Sequence, residues 1–542
     1  MSGGRLAPSL RAAVAATLLL LTVVHTWPLA SAPHRFSRND NGDCQLNQWI
    51  VAWIAHQLPR DPLRLFDANI FHPEPRTLAF SEPLLVPALA GAPLRALGAS
   101  TLLTYNLLLL AGFFLTALAG FFVAWRFTGD VAAGLLGGSL LAFNAQSLTR
   151  LPHLQAHHLE WLPLALFLLD RLLQEPRRRD ALLLGISVAL LALTTGYGAA
   201  LAVAGLGAAF LSRAPEAWRQ RRALFPELGL AVLVAALLAI PPLLPYWRAH
   251  REQGLTRTLD EAQSFASVPT SYLATPARLH YAAWSQRFFG ERGGAYFPGV
   301  VGLSLSGAAL LAGFGAARPR MLAAVAAAGF LLSLGPQTPA YRLLRAVFPP
   351  MQGLRDPSRF GQLVILAIAL LAPIGLAALR SRLRPRAGSA VAAAAIVLAN
   401  LEALCAPLPL VPFEGFSPVY RRLAAAEGAV LVEFPLYPPA EIYRNAEYVL
   451  ASTEHWRPLV NGYSGFTPPA FAARAESLRR FPEDASFAEM GRLGVTHFVV
   501  HAARYREPRR DEIAARLDAR GDCERLLTGP SGETLYLWKR GS

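Results

Sequence analysis

Hydrophobic residues occur in long unbroken runs through the first three quarters of the chain, separated by short turns that carry arginine. The runs are approximately 12–24, 102–125, 131–148, 159–173, 181–194, 197–211, 227–247, 299–316, 321–334, 360–379 and 388–406. Continuous apolar runs predict membrane helices, whereas a membrane β-barrel would alternate apolar and polar positions. Taken as one helix, 181–211 would measure about 46 Å at 1.5 Å per residue, against a hydrocarbon core of about 30 Å. Thr194-Thr195-Gly196-Tyr197-Gly198 offers a turn, so the stretch is read as two helices.

With about eleven helices, the inward turns hold Arg126, Arg177-Arg178-Arg179, Arg213 with Arg219, Arg221 and Arg222, Arg318 with Arg320, and Arg380, Arg382, Arg384 and Arg386. That follows the excess of cations expected in short cytoplasmic turns. The outward pieces are 33–101, 149–158, 248–298, 335–359 and everything after about 407, and they hold every histidine except His25. The first run follows Arg5 and Arg11 and precedes Ala30-Ser31-Ala32. It fits a cleavable signal peptide or a retained first helix, and retention is favoured.

After about 408 the pattern changes. Residues 428–434, 496–501 and 534–538 have the composition of strands, and 420–427, 470–480 and 510–520 that of amphipathic helices. The expected organisation is a polytopic α-helical membrane domain over 1–407, with a large outside loop at 33–101, and a soluble extracytoplasmic α/β domain over 408–542. Within the loop, 45–56 has the spacing of a helix lying in the membrane interface, and 84–98 is too short to span.

Composition agrees. The chain has 542 residues, 53% hydrophobic and 16% charged, with a mean hydropathy of +0.33. That excludes a soluble single-domain enzyme, a disordered chain and a fibre. The net charge of +15 invites a nucleic-acid reading, but arginine is spread along the chain rather than gathered in a patch, and no nucleic acid is expected. Cys44, Cys405 and Cys523 have neither disulfide-framework nor metal-ligand spacing and are expected as thiols. A Cys44–Cys523 bridge stays open if both lie outside the cytosol.

Candidate chemistry gathers in the outward pieces. Asn39-Asp40-Asn41-Gly42-Asp43 is either an Asx turn or a pair of carboxylates able to bind a cation or act as a base. Glu82 precedes the apolar stretch from 84 and is a helix-start residue or a site ligand. Arg150 opens the second outward turn, where His153 and His157 would share a face if the turn were helical. They could ligate a metal with Glu82 or Asp43, or simply wet a turn; a divalent metal is left open. Arg355 and Arg359, four apart at the outer end of a membrane helix, suit a lipid phosphate or interfacial snorkelling.

These residues resemble the GT-C superfamily of polytopic glycosyltransferases, and especially a bacterial group of related membrane proteins. The matching pieces are Gly42-Asp43 with Asn47, Trp49, Trp53 and His56; Phe66 to Pro73; Ala79-Phe80-Ser81-Glu82; His153-Leu154-Gln155 before Trp161-Leu162-Pro163; the Arg355–Arg359 turn; and His455 to Gly465. The resemblance implies a catalytic site on the outer face and a polyprenyl-phosphate sugar donor drawn from the membrane lipid. It implies a glycan, lipid or protein acceptor and a location in a bacterial inner membrane. It makes Asp43 the first-loop aspartate, with Asp40 second and Glu82 as a second carboxylate, and gives Arg355 and Arg359 the leaving phosphate. Direct displacement would invert the anomeric centre. Trp456 and Tyr463 in the tail would cover the site, bind a glycan or simply pack as core of the small domain. The second outward turn departs from the family by offering histidines and Glu160 in place of an aspartate. A lipid-linked-sugar transporter or flippase, or a non-catalytic scaffold on the same fold, are the alternatives.

Overall fold

A computed structural model describes residues 6–289 and 294–539. Every one of the eleven apolar runs is helical: Pro8–His25, Thr101–Thr128, Val131–Ala142 with Ala145–Thr149, Trp161–Gln174, Arg178–Thr194, Gly198–Ser212, Arg221–Gln253, Val300–Gly313, Ala317–Ser333, Gly361–Arg380 and Pro385–Ala403. Among the described residues, six helical segments are long and apolar enough to cross a membrane by length and composition. Gly198–Ser212 and Val300–Gly313 are apolar but shorter. The turn proposed inside 181–211 is present, with the backbone leaving the helix at Thr195 and re-entering at Gly198.

By the density of their contacts the described residues form two compact units, the first made of 6–33, 106–244, 256–289 and 294–410, the second of 34–105, 245–255 and 411–539.

In the first unit, helix Gly361–Arg380 is buried along most of its length. Small residues let its neighbours approach. A Cβ at Gly375 would meet the Leu305 carbonyl at 2.0 Å, and one at Gly329 would meet Leu363 Cβ at 2.6 Å. Close approach at small residues is how helices associate where lipid removes the hydrophobic drive between them. By contrast, Arg221–Gln253 keeps Val232, Leu233, Leu237 and Ile240 outside, an apolar face that water would not tolerate.

The polar contacts between turns sort into two groups. Asp170, fully buried, accepts from Arg213 (2.6 Å) and Arg318 (3.0 Å), Arg318 also donates to the Phe127 carbonyl, Arg320 pairs with Glu216, and Arg380 with Asp130. All these residues border turns read as inward. Arg150, Tyr197, Tyr296 and Asp356 form the other group, from turns read as outward. Each of these ion pairs stays within its own group, as expected of helices running alternately up and down.

In the second unit, strands Leu431–Phe434, His497–His501, Glu533–Trp538 and Cys523–Thr528 lie in that order, the first two parallel and the rest antiparallel. The three strands read from the sequence are present, and Cys523–Thr528 is an addition. Phe434 stacks on Phe481 at 3.7 Å, and Val499, Leu431, Tyr420 and Leu535 fill the other core. The first outside loop packs in the same unit. Phe36–Ser37 pairs antiparallel with Val411–Pro412. The backbone of 69–72 pairs with 459–461, through Leu459 N–H to Asn69 O (2.7 Å), His72 N–H to Leu459 O (2.9 Å) and Phe71 N–H to Asn461 O (3.1 Å). Residues 84–98 contain helix Leu85–Ala96. All three cysteines are free.

Candidate functional site

Asp43 owes its place to the start of a helix. Asn41 caps helix Gly42–Gln57, its side chain accepting from the Asp43 N–H at 2.9 Å. The helix therefore begins before residue 45 and carries Asp43 in its first turn, where the dipole favours an anion. The helix is fixed from within the unit: Trp49 Nε1 donates to Asn69 Oδ1 (3.2 Å), and Trp53 Nε1 to the Leu65 carbonyl (2.8 Å). From the tail, the Tyr463 hydroxyl donates to Asp43 Oδ1 at 2.6 Å, the length of a charge-assisted O–H···O⁻ bond. Sequence reasoning proposed both residues and did not foresee their pairing, because 420 positions separate them.

Asp40 is held by Arg38 through two bonds of 2.9 and 3.2 Å. Glu82 lies beyond the turn Thr77–Phe80, in electrostatic reach of Tyr246. Trp456 stands at φ 57°, a left-handed conformation costly for a bulky side chain, and stacks on His56 at 4.1 Å beside Trp53. Burial, with Arg60 and Arg95 nearby, pushes the His56 imidazole down to about 4, so this stack is neutral.

The first unit carries a basic cluster. Asp356 is buried and accepts from Arg150 (3.0 Å), Arg359 (3.4 Å) and the Ser358 hydroxyl. Burial pushes this carboxyl up, but the two guanidiniums and the hydroxyl outweigh that and hold it below its ordinary value. Its N–H donates to the Tyr197 hydroxyl at 2.8 Å, and Arg359 lies 4.2 Å above that ring. Arg355 lies 5.2 Å over Phe265 and interacts with Arg257, which pairs with Glu261. Arg345 donates to the Arg257 carbonyl at 2.6 Å. Five arginines therefore stand against Asp356 and Glu261, a net excess of cations suited to a phosphate. Arg257 and Arg345 were not singled out by sequence, since isolated arginines in polar segments carry no local signal.

His153 and His157 do not lie on a regular helix; Leu154–Ala156 is a single 3₁₀ turn. His157 is buried, bonds the Arg150 carbonyl at 3.1 Å and packs against Phe113 at 4.4 Å. Burial pushes its imidazole down to about 3. It thereby holds the backbone of Arg150, a positioning task. Its neighbour His158 bridges Glu160 (3.1 Å) and the Leu108 carbonyl (3.0 Å). Among the described residues no three His, Cys, Asp or Glu side chains gather closely enough to hold a metal ion, so the metal left open by the sequence finds no donor set there.

No protein-family model and no curated protein matches the chain. Solved structures do. The arabinofuranosyltransferase AftD from Mycobacteria is similar over 99% of this chain, with a TM-score of 0.66 and 16% identity; this chain spans 40% of that protein's length. ArnT from Cupriavidus metallidurans, solved with undecaprenyl phosphate, matches over 98% of each chain with a TM-score of 0.55 and 14% identity. AglB, the oligosaccharyltransferase of Archaeoglobus fulgidus solved with an inhibitory peptide and a dolichol-phosphate, matches over 98% of this chain and 74% of its own, with a TM-score of 0.51 and 13% identity. All three are GT-C glycosyltransferases, and this chain has a GT-C-like fold.

Proposed function

We propose that the chain is a membrane glycosyltransferase that moves a sugar from a polyprenyl-phosphate donor to an extracytoplasmic glycan, lipid or protein, with inversion. The observation that carries the reading is the Asp43 carboxylate, placed at a helix start within a GT-C-like fold and gripped by Tyr463 at 2.6 Å. Asp43 takes the acceptor hydroxyl's proton as the oxygen attacks the anomeric carbon from the face opposite the phosphate. The glycosidic bond forms as the bond from carbon to phosphate oxygen breaks, and the electron pair leaves on the phosphate. Charge then grows on that phosphate. Arg355 and Arg359, with Arg150 and Arg257, supply cations for it without a metal. Asp356 limits how far Arg150 and Arg359 can wander before the phosphate arrives. Asp40 and Glu82 are the secondary carboxylates of this reading, and Trp456 contributes a sugar-facing ring.

The eleven helices would all cross the membrane, with the Asp170 end cytoplasmic by the excess of arginine in its turns. In this arrangement 1–407 is the membrane domain, 408–542 is extracytoplasmic, and the location is a bacterial inner membrane. The experiment is a panel of polyprenyl-phosphate sugars incubated with the protein in lipid nanodiscs, with and without chelator, product configuration being read by NMR. Donor consumption with an inverted product, in both arms, is expected. No consumption of any donor by folded protein that binds polyprenyl phosphate would defeat the proposal.

A further inference from the structure

We infer that the second unit contains a binding cleft for a neutral glycan, at the carboxyl ends of its two parallel strands. The inference rests on the transferase reading in one respect only, that this glycan is the acceptor. Strands Leu431–Phe434 and His497–His501 are parallel neighbours, and ligands of α/β sheets settle in the crevice beyond the carboxyl ends of such strands. The segments leaving those ends line an open cavity of about 390 Å³: Tyr437, Tyr443 and Arg444 after the first strand, Glu447 on the next helix, and Arg504 after the second strand. That volume lies within the range of small-ligand sites, about 300–1,000 Å³.

The lining chemistry selects the ligand class. From the loop side, Asn39, Asp40 and Gln45 complete the cleft. The formal charges of Arg444 and Arg504 cancel those of Asp40 and Glu447, and Glu447 is already paired with Arg504 at 2.5 Å. A phosphate or carboxylate finds no net cation there. A polyol, whose hydroxyls both donate and accept, is matched by carboxylates, guanidiniums and amides set side by side. Tyr443 is 55% exposed and offers a ring to the apolar face of a sugar.

The walls are held in advance. Buried Asn445 donates to the Tyr437 carbonyl (2.9 Å), accepts from its N–H (3.2 Å) and accepts from Asn461 (3.3 Å). Arg504 lies 4.9 Å over the buried Tyr448 ring. Such preorganisation lowers the ordering cost of binding. The cleft also adjoins the candidate base. Gly42 lines it, and a Cβ there would meet the Tyr443 carbonyl at 3.1 Å and the Tyr463 ring at 3.3 Å. An acceptor in this cleft is therefore one residue from Asp43.

The test titrates the full chain in nanodiscs with neutral di- to tetrasaccharides of glucose, galactose, mannose and arabinose, and with uronic-acid counterparts, using saturation-transfer NMR and calorimetry. At least one neutral glycan should bind, more tightly than its acidic counterpart. Tyr443→Ala should weaken it tenfold or more, while Tyr443→Phe, which keeps the ring, should retain it. Melting midpoints of the variants establish that they are folded. Absence of neutral-glycan binding, preference for the acidic series, or unchanged binding by Tyr443→Ala overturns the cleft. Tyr443-dependent binding without any donor consumption removes the transferase reading and leaves the cleft standing; transfer without such binding does the reverse.

Discussion

Tyr463→Phe removes a hydrogen bond from the candidate base. The substitution keeps the ring that packs beside Gly42 and removes only the hydroxyl that donates to Asp43 Oδ1 at 2.6 Å. A hydrogen bond to a charged group is worth about 1.5–3 kcal/mol, and each 1.4 kcal/mol is about a factor of ten in rate. If Tyr463 holds the carboxylate in the orientation that receives the acceptor proton, turnover should fall by about 10- to 100-fold. The loss should appear in kcat, with donor KM nearly unchanged, because the phosphate is assigned to arginines of the first unit. The assay is initial-rate donor consumption in nanodiscs, with the melting midpoint as a check on folding. A kcat within threefold of wild type, in folded protein, would refute the claim that Tyr463 positions the base.

Three further outcomes follow from the packing. Asp170→Ala strips the anion from Arg213, which is only 4% exposed, and should cost about 3–5 kcal/mol of stability, seen in thermal unfolding and largely relieved by adding Arg213→Leu. Gly462→Ala would place a Cβ 2.3 Å from the buried Phe71 ring, and should destabilise the chain by at least about 1–3 kcal/mol and slow transfer through the adjoining Tyr463. Burial, with Arg457 nearby, pushes His455 down to about 3 from an ordinary 6.5, so its unfolded form takes a proton first on acidification. Stability should therefore fall as pH drops from about 6.5 toward 3, and fall less in His455→Gln, by melting midpoints across that range.

The helices were legible because their causes are local. The apolar runs and the Thr194–Gly198 turn both speak through neighbouring residues. Arginine placement also gave the grouping of turns that Asp170, Arg213 and Arg318 display. What the sequence hid is long-range. Nothing near Phe36 announces a strand partner at Val411–Pro412, and nothing near Asn69 announces pairing with 459–461. Strand Cys523–Thr528 was missed because, as an edge strand, it is mostly open on both faces and shows no alternation. At the candidate site, residue types suggested Asp43, Tyr463, Arg150 and Arg359 one at a time. The Tyr463–Asp43 bond and the shared grip on Asp356 are products of folding. The histidine turn misled in one respect: Pro152 and the 3₁₀ turn Leu154–Ala156 replace the regular helix that would have aligned His153 with His157.

The most direct test of the central claim compares wild type with Asp43→Asn, side by side in nanodiscs, for release of sugar from polyprenyl phosphate. Asparagine keeps the shape at the helix start and removes the base. The account predicts consumption of donor by wild type and its loss in Asp43→Asn, with polyprenyl-phosphate binding and the melting midpoint retained. Donor consumption at the wild-type rate by Asp43→Asn would contradict it.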